Sequence, residues 1–227
     1  YTSNGLMSWF HDIGGRIFAN QLIHFRWLNR PEAEVFGGNY GGKLPELDLT
    51  LTDQNDLSVD IPRGAGWFPA NKLSSYTLAE ALKLLVMYRE DPETHLEFST
   101  WEDVKVLLYG AERSAWYDDK TPQGMESDPS VYVQNALDIN ELDERSKGAW
   151  RIFSKLGLGF SRGGEIVHTD YACLPAFDKT GEVIPNQGLE FVISIHLPVN
   201  EDYHGGDLRL AQLYKRLIDQ MKSGQIL

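Results

Sequence analysis

The sequence predicts an α+β fold: a helical region followed by an antiparallel sheet and a closing C-terminal helix. Three observations carry this. Apolar residues recur at helical spacing behind capping signals in the first two thirds. Three strand-like segments joined by glycine-rich and turn residues then follow one another, the last alternating Leu189, Phe191, Ile193, Ile195, Leu197 against Glu190, Val192, Ser194, His196. A final apolar stripe, Leu210, Leu213, Tyr214, Leu217 and Met221, has the period of a helix. Helices first, then a short meander, then a helix is the order of an α+β layered domain. The 227 residues suit one domain. Its helical part covers about 1–148, with an excursion at 36–70, and its sheet and last helix about 149–227.

Asn4 or Ser3 caps a first helix in which Leu6, Trp9, Phe10 and Ile13 share a face and Gly14-Gly15 ends the run. A second helix is expected from about Arg16 to Asn29, stopping before Pro31. Residues 36–70 are rich in Gly, Pro, Asp and Asn. Within them Leu47–Leu51 and Leu57–Ile61 alternate and read as a small hairpin. Thr77-x-x-Glu80 is a capping box for a helix with Leu78, Leu82 and Leu85 on one face. Ser99-x-x-Glu102 is another, with Trp101, Val104, Leu107 and Leu108 inward. Residues 117–148 read as surface connections with a short helix. Strands are expected over Arg151–Lys155, Glu165–Ala176 and Leu189–Leu197, with a turn at Asp178-Lys179-Thr180-Gly181. The last helix starts at about Gly206.

Hydrophobic content of 42% and charged content of 24% are ordinary for a globular chain. No apolar run approaches ~20 residues, so no membrane span is expected. A net charge of -12 argues against a nucleic-acid partner, which needs a basic face. Cys173 is the single cysteine, so neither an intrachain disulfide nor a cysteine-based zinc site is expected. The sequence begins at Tyr1 without a signal peptide, which suggests a mature or truncated product.

One chemical signal is Ser154-Lys155-Leu156-Gly157-Leu158-Gly159, a lysine beside glycines at a strand edge. Glycine lets a substrate approach the backbone closely, and the lysine makes that edge cationic. The order of elements resembles the serine β-lactamase and penicillin-binding-protein superfamily, most nearly its class A-type hydrolases. In that family a Ser-x-Asn loop opens a short helix ending in Gly-Gly. Tyr1-Thr2-Ser3-Asn4 and Gly14-Gly15 have those places here. A Lys-Thr/Ser-Gly strand then precedes two more strands and the last helix, and Lys155-Leu156-Gly157 has that place.

The resemblance implies acyl transfer on a β-lactam or a D-Ala-D-Ala-like amide, without a cofactor, in a periplasmic or secreted setting. Lys155 would hold the substrate carboxylate, Thr2 or Ser3 would relay a proton, and Asn4 would bind the substrate amide. Gly157 would line the substrate, and Glu34, with Glu32 beside it, would stand where class A enzymes place their water-activating glutamate. The sequence departs from the family in three ways. No serine has a lysine three residues on, so the nucleophile would belong to a preceding segment. Leu156 replaces a hydroxyl residue, and the glutamate spacing is short. A literal Lys179-Thr180-Gly181 has too few elements after it and reads as turn chemistry.

The second signal is His168-x-Asp170, the spacing of two ligands of a 2-His-1-carboxylate iron site. Asp202-Tyr203-His204-Gly205-Gly206-Asp207-Leu208 resembles a segment of iron(II)/2-oxoglutarate hydroxylases. That reading implies iron and 2-oxoglutarate as cofactors, with His168 and Asp170 as metal ligands. It also requires a distal histidine and a basic residue on later strands, whereas His196 and His204 both precede Gly205-Gly206. A strand histidine beside a polar partner is the favoured expectation for His168. A relative that kept the hydrolase architecture without its nucleophile is a third class.

Overall fold

The computed structural model describes residues 20–29, 49–52, 54–61, 72–95, 99–109, 125, 131–136, 151–159 and 163–225. The chain divides into two compact units, Tyr1–Ser74 and Ser75–Leu227. The expected first helix, with Thr2, Ser3 and Asn4 at its start, and Glu32 and Glu34 all lie outside the described residues.

In the first unit, the expected second helix is seen at Asn20 and Gln21, which lead into a π-helical segment, Leu22–Trp27. Asn29 stops it with a left-handed φ of 48°. The expected hairpin is present, β1 (Leu49–Thr52) against β2 (Ser58–Ile61). Its strands pair Thr50 with Asp60 and Thr52 with Ser58. Thr50 Oγ1 donates to Asp60 Oδ1 at 2.7 Å, and the Thr52 and Ser58 hydroxyls bond at 2.8 Å. These cross-strand pairs fix the register on the polar face.

The second unit holds α1 (Ser75–Met87), a 3-10 turn at Pro92–Thr94, α2 (Trp101–Tyr109) and α3 (Val131–Ala136). Then come β3 (Arg151–Gly159), β4 (Glu165–Phe177), β5 (Val183–Pro198) and α4 (Tyr203–Lys222). The strands form an antiparallel sheet in the order β3-β4-β5. Mixed helix and sheet with a closing helix is therefore the architecture.

Several element ends differ from the sequence expectations. Helix α1 begins at Ser75, so Thr77 sits inside its first turn and is fully buried instead of capping it. The α2 capping box is shifted one residue: Thr100 Oγ1 accepts from Asp103 N at 3.3 Å, and Asp103 Oδ2 accepts from Thr100 N at 2.8 Å. Thr100 and Asp103 keep the three-residue spacing that two orphan donors require, and Ser99 instead bonds Tyr88 OH at 3.0 Å. These bonds to Thr100 hold the exposed Asp103 carboxyl below the usual carboxylate range. Leu107 points outward at 54% exposure, leaving Val104 and Leu108 as the buried pair of α2. Helix α4 begins at Tyr203 because Asp202 caps it, its side chain accepting from Gly205 N at 2.9 Å. Its buried stripe is Gly206, Leu210, Tyr214 and Ile218, each four residues on, while Leu213 faces solvent. β5 starts six residues before the expected Leu189, at Val183.

The turn at Asp178 is as expected. Asp178 Oδ1 accepts from Thr180 N at 2.8 Å, Thr180 Oγ1 at 2.6 Å and Glu182 N at 3.0 Å, and Gly181 takes a φ of 85°. Those bonds lower the Asp178 carboxyl from its ordinary range. Lys179-Thr180-Gly181 is thus an exposed hairpin turn.

Strand alternation gives the sheet two apolar faces, so it must be covered twice. On one face Ile152, Ile166, Ala172, Leu174 and the alternate residues Leu189–Leu197 pack with Tyr132 and Val133 of α3 and with Leu210, Tyr214 and Ile218 of α4. On the other, Phe153, Tyr171, Cys173 and Val192 pack with Leu82 of α1 and with Val104 and Leu108 of α2. Tyr109 meets Phe153 edge-on at 5.2 Å. Gly206 lets α4 approach its neighbours closely: a Cβ there would overlap Val199 and lie 3.1 Å from Ile166 Cδ1. No helix among the described residues is long and apolar enough to cross a membrane.

Candidate functional site

Adjacent residues Ser154 and Lys155 face opposite sides of β3, as alternation requires. Lys155 is exposed, on the edge strand and on the face away from α4. It stands opposite Thr169. Thr169 is buried, and its hydroxyl bonds Ser194 Oγ of β5 at 2.9 Å. A row of polar groups therefore runs across this face from the lysine. Lys155 Nζ donates to the Leu156 carbonyl at 3.0 Å, one of three donors on the ammonium. Gly157 beside it is exposed, and a Cβ there would sit at ordinary contact, 3.8 Å from Val167 Cβ. Open space, not a left-handed backbone, is what this glycine provides.

The other side of the same strand carries a second polar group. Asp170 is fully buried, and its two oxygens accept three hydrogen bonds. Ser154 Oγ donates to Oδ1 at 2.5 Å, and His168 Nδ1 donates to Oδ2 at 2.6 Å. Tyr214 OH of α4 donates to the same Oδ2. His168 and Asp170 share a face because they are two residues apart on β4, and Ser154 joins them because it pairs with Asp170 across the ladder. The edge of the Tyr132 ring lies against His168, ring centres 4.9 Å apart, and Tyr132 OH donates to Asp207 Oδ1 at 2.6 Å. Burial, together with the negative Asp170, pushes the Tyr214 phenol far above its ordinary range and keeps it a neutral donor.

This arrangement has the His-Asp half of a nucleophilic triad but not the other half. In a triad the serine bonds the imidazole, which takes its proton. Here Ser154 bonds the far side of the carboxylate, and it is fully buried. Proton removal from Ser154 by His168 is not what this geometry supports. What it does is tie β3, β4 and α4 together with satisfied buried groups.

The same contacts bear on iron. A metal would need the lone pairs of Asp170 Oδ2 that His168 and Tyr214 already occupy, and His168 turns Nδ1 onto the carboxylate. Among the described residues no three His, Cys, Asp or Glu converge on a common point. His196 bonds Glu165 Oε2 at 2.6 Å on the opposite face, and His204 is exposed at the start of α4. Among the described residues, His168 and Asp170 are bonded to each other and gain no third ligand, so these residues do not form a 2-His-1-carboxylate centre.

Of the residues expected to form the hydrolase site, the structure places Lys155 and Gly157 side by side on β3, and Thr2, Ser3, Asn4 and Glu34 fall outside the described residues. Sequence reasoning missed the partnership of Ser154, Asp170 and Tyr214. A signal was there: a serine between Ile152 and Leu156, and a tyrosine within the α4 stripe, are polar groups on faces that must be buried and so need partners.

On the remaining outer-face pair, Tyr171 OH donates to Glu190 Oε1 at 2.8 Å. Burial and that neighbouring carboxylate raise Tyr171, and they raise the half-buried Cys173 thiol as well, which makes it a poor nucleophile. No protein family model matches the chain, and no curated protein or solved structure matches it.

Proposed function

We propose that this chain carries the sheet and closing helix of a serine-hydrolase fold of the β-lactamase and penicillin-binding type. Its part in acyl transfer is to hold the carboxylate of a β-lactam or a D-Ala-D-Ala-like amide. The observation that supports this is Lys155: an exposed cation on the edge strand β3, beside the open space at Gly157, with two strands and a helix after it. A periplasmic or secreted setting goes with that reading. The nucleophile belongs to a Ser-x-x-Lys segment outside these residues, since no serine here has a lysine three residues on. Ser154 is spent on Asp170.

Two measurements test the reading. Incubated with a fluorescent penicillin, the 227-residue chain gives no covalent band. Titrated with an unreacted D-Ala-D-Ala peptide by NMR, it shifts the amides of β3. Lys155→Ala weakens that binding roughly tenfold to a hundredfold, the worth of one hydrogen bond to a charged group. Binding unaffected by Lys155→Ala, or a covalent band on the chain alone, would sink the proposal.

A further inference from the structure

We propose that β5 pairs with β5 of a second copy, antiparallel about a two-fold axis through Ile193, extending the three-stranded sheet into one of six. This goes beyond the hydrolase reading and uses the opposite edge of the sheet from Lys155.

The order β3-β4-β5 leaves the outer edge of β5 without a strand partner among the described residues. At 16 residues β5 is long for an edge strand, against a typical length of about 5–6. Edge strands are usually blunted by lysine, proline or a bulge. The stretch Leu189-Glu190-Phe191-Val192-Ile193-Ser194-Ile195-His196-Leu197 has no lysine, arginine, proline or glycine. Breakers flank it instead: Gly188 at a φ of 129° before it, where the β4 register shifts between Pro175 and Phe177, and Pro198 after it. The pairing-competent segment is thus bounded at both ends.

Its sequence is self-complementary when read antiparallel about its centre, as a two-fold interface demands. Ile193 meets itself, Phe191 meets Ile195 of the partner subunit, and Leu189 meets Leu197 of the partner subunit. On the other face Val192 meets Ser194 of the partner subunit, and Glu190 meets His196 of the partner subunit, twice by symmetry. Glu190 and His196 are both exposed; Glu190 Oε1 accepts from Tyr171 OH and His196 Nε2 bonds Glu165, which leaves Glu190 Oε2 and His196 Nδ1 to face the second copy. The five apolar residues are half-exposed and pack only partly on the α3 and α4 cluster. Pairing joins two such apolar layers side by side. A slip of one residue would turn the apolar set against the polar face. A slip of two would set Glu190 against Ser194 or Pro198 and lose both Glu190–His196 pairs. One register therefore satisfies the Glu190–His196 pairs and the apolar layer together.

Sedimentation velocity of the 227-residue chain across the micromolar range tests this. A species of about twice the 25.7 kDa chain mass is expected, growing with concentration. Glu190→Arg removes the acceptor from both Glu190–His196 pairs and weakens the dimer about tenfold. The double change Glu190→Arg with His196→Glu restores it. Hydrogen exchange on the unaltered chain gives a second reading, with residues 189–197 gaining protection as concentration rises. A mass of 25.7 kDa at every concentration overturns the proposal, and so would protection of 189–197 independent of concentration, which would mean a segment of the same chain covers the edge. A dimer indifferent to Glu190→Arg overturns the register.

Discussion

Replacing Asp170 by alanine removes, in one step, the acceptor of three buried hydrogen bonds. His168 Nδ1 and Tyr214 OH lose Oδ2, and Ser154 Oγ loses Oδ1. A buried donor stripped of its acceptor costs about 1–3 kcal/mol. Ser154 has a further interaction and counts at the low end. Tyr214 retains the His168 carbonyl at 3.4 Å, too long to compensate. The sum is about 3–7 kcal/mol, against a total stability of about 5–15 kcal/mol for an ordinary domain. Asp170→Ala is therefore expected to unfold the sheet unit or bring it close to unfolding. Asp170→Asn is a gentler change. Its amide oxygen can serve His168 and Tyr214 while its NH2 donates to the Ser154 hydroxyl, which can turn to accept. That variant should lose only about 1–3 kcal/mol. Urea unfolding followed by far-ultraviolet circular dichroism gives both numbers from the midpoint shift at constant slope. If Asp170→Ala leaves the midpoint where it was, the three donors do not depend on this carboxylate and the network is misassigned. If Asn and Ala cost the same, the amide does not replace the carboxylate as an acceptor and the whole loss is of the charged hydrogen bonds; if Asn costs nothing while Ala costs the full amount, the loss is one of packing volume.

Two further outcomes follow from the same packing. Gly206→Ala should destabilise by about 1–2 kcal/mol although alanine favours helices, because its methyl would overlap Val199, which is 1% exposed and cannot yield. Gly157→Ala, with its nearest neighbour at 3.8 Å, should change stability by no more than about 0.5 kcal/mol, and equal midpoints for the two variants would refute the close approach of α4. Tyr214 also makes stability fall in alkali. Its folded-state pKa is raised, so its contribution is complete below the unfolded value of about 10 and declines as the pH rises past it. Its share of the slope is about 1.4 kcal/mol per pH unit, since only the unfolded chain gives up that proton, and Tyr171, also raised, adds a share of its own. Urea midpoints between about pH 9 and about pH 11 should show this slope flattened in Tyr214→Phe; an unchanged slope would place the ionising group elsewhere.

How much of this was legible depended on whether a local rule governed the position. The alternation of β5 and the turn at Asp178 are properties of a few consecutive residues, and both are as the sequence read. Capping failed by one residue at α2 and by three at α1 because several hydroxyls precede each helix. Ser74, Ser75 and Thr77 all stand before α1 or in its first turn, and Ser99 and Thr100 before α2. Choosing among them requires the apolar face, which tertiary packing sets. Ile218 in place of Leu213 on the buried side of α4 has the same origin: the stripe advances by four residues each time from the close contact at Gly206, which the sequence alone does not locate. The Asp170 network joins residues 154, 168, 170 and 214, and only the pairing of β3 with β4 and the docking of α4 bring them together. Their shared need for partners was readable. Which partner each one took was not.

The two faces of β3 give its neighbouring residues separate tasks. Ser154 and Lys155 are adjacent in sequence, yet one is fully buried on a carboxylate and the other stands in solvent. A serine and a lysine so disposed cannot act as nucleophile and base on one substrate. The buried bond instead holds the strand that carries the cation. Among the described residues β3 is an edge strand, with a ladder on one side alone. Its hold on the rest of the sheet comes from β4, from Phe153 against Tyr109 and Tyr171 on one face, and from Ser154 on the other. Through Asp170 that last bond reaches Tyr214, so the position of Lys155 is fixed by α4 across the thickness of the sheet. An exposed lysine on a loose edge would be a mobile charge. On a strand pinned from both faces it is a placed one, as the carboxylate-binding role proposed for it requires.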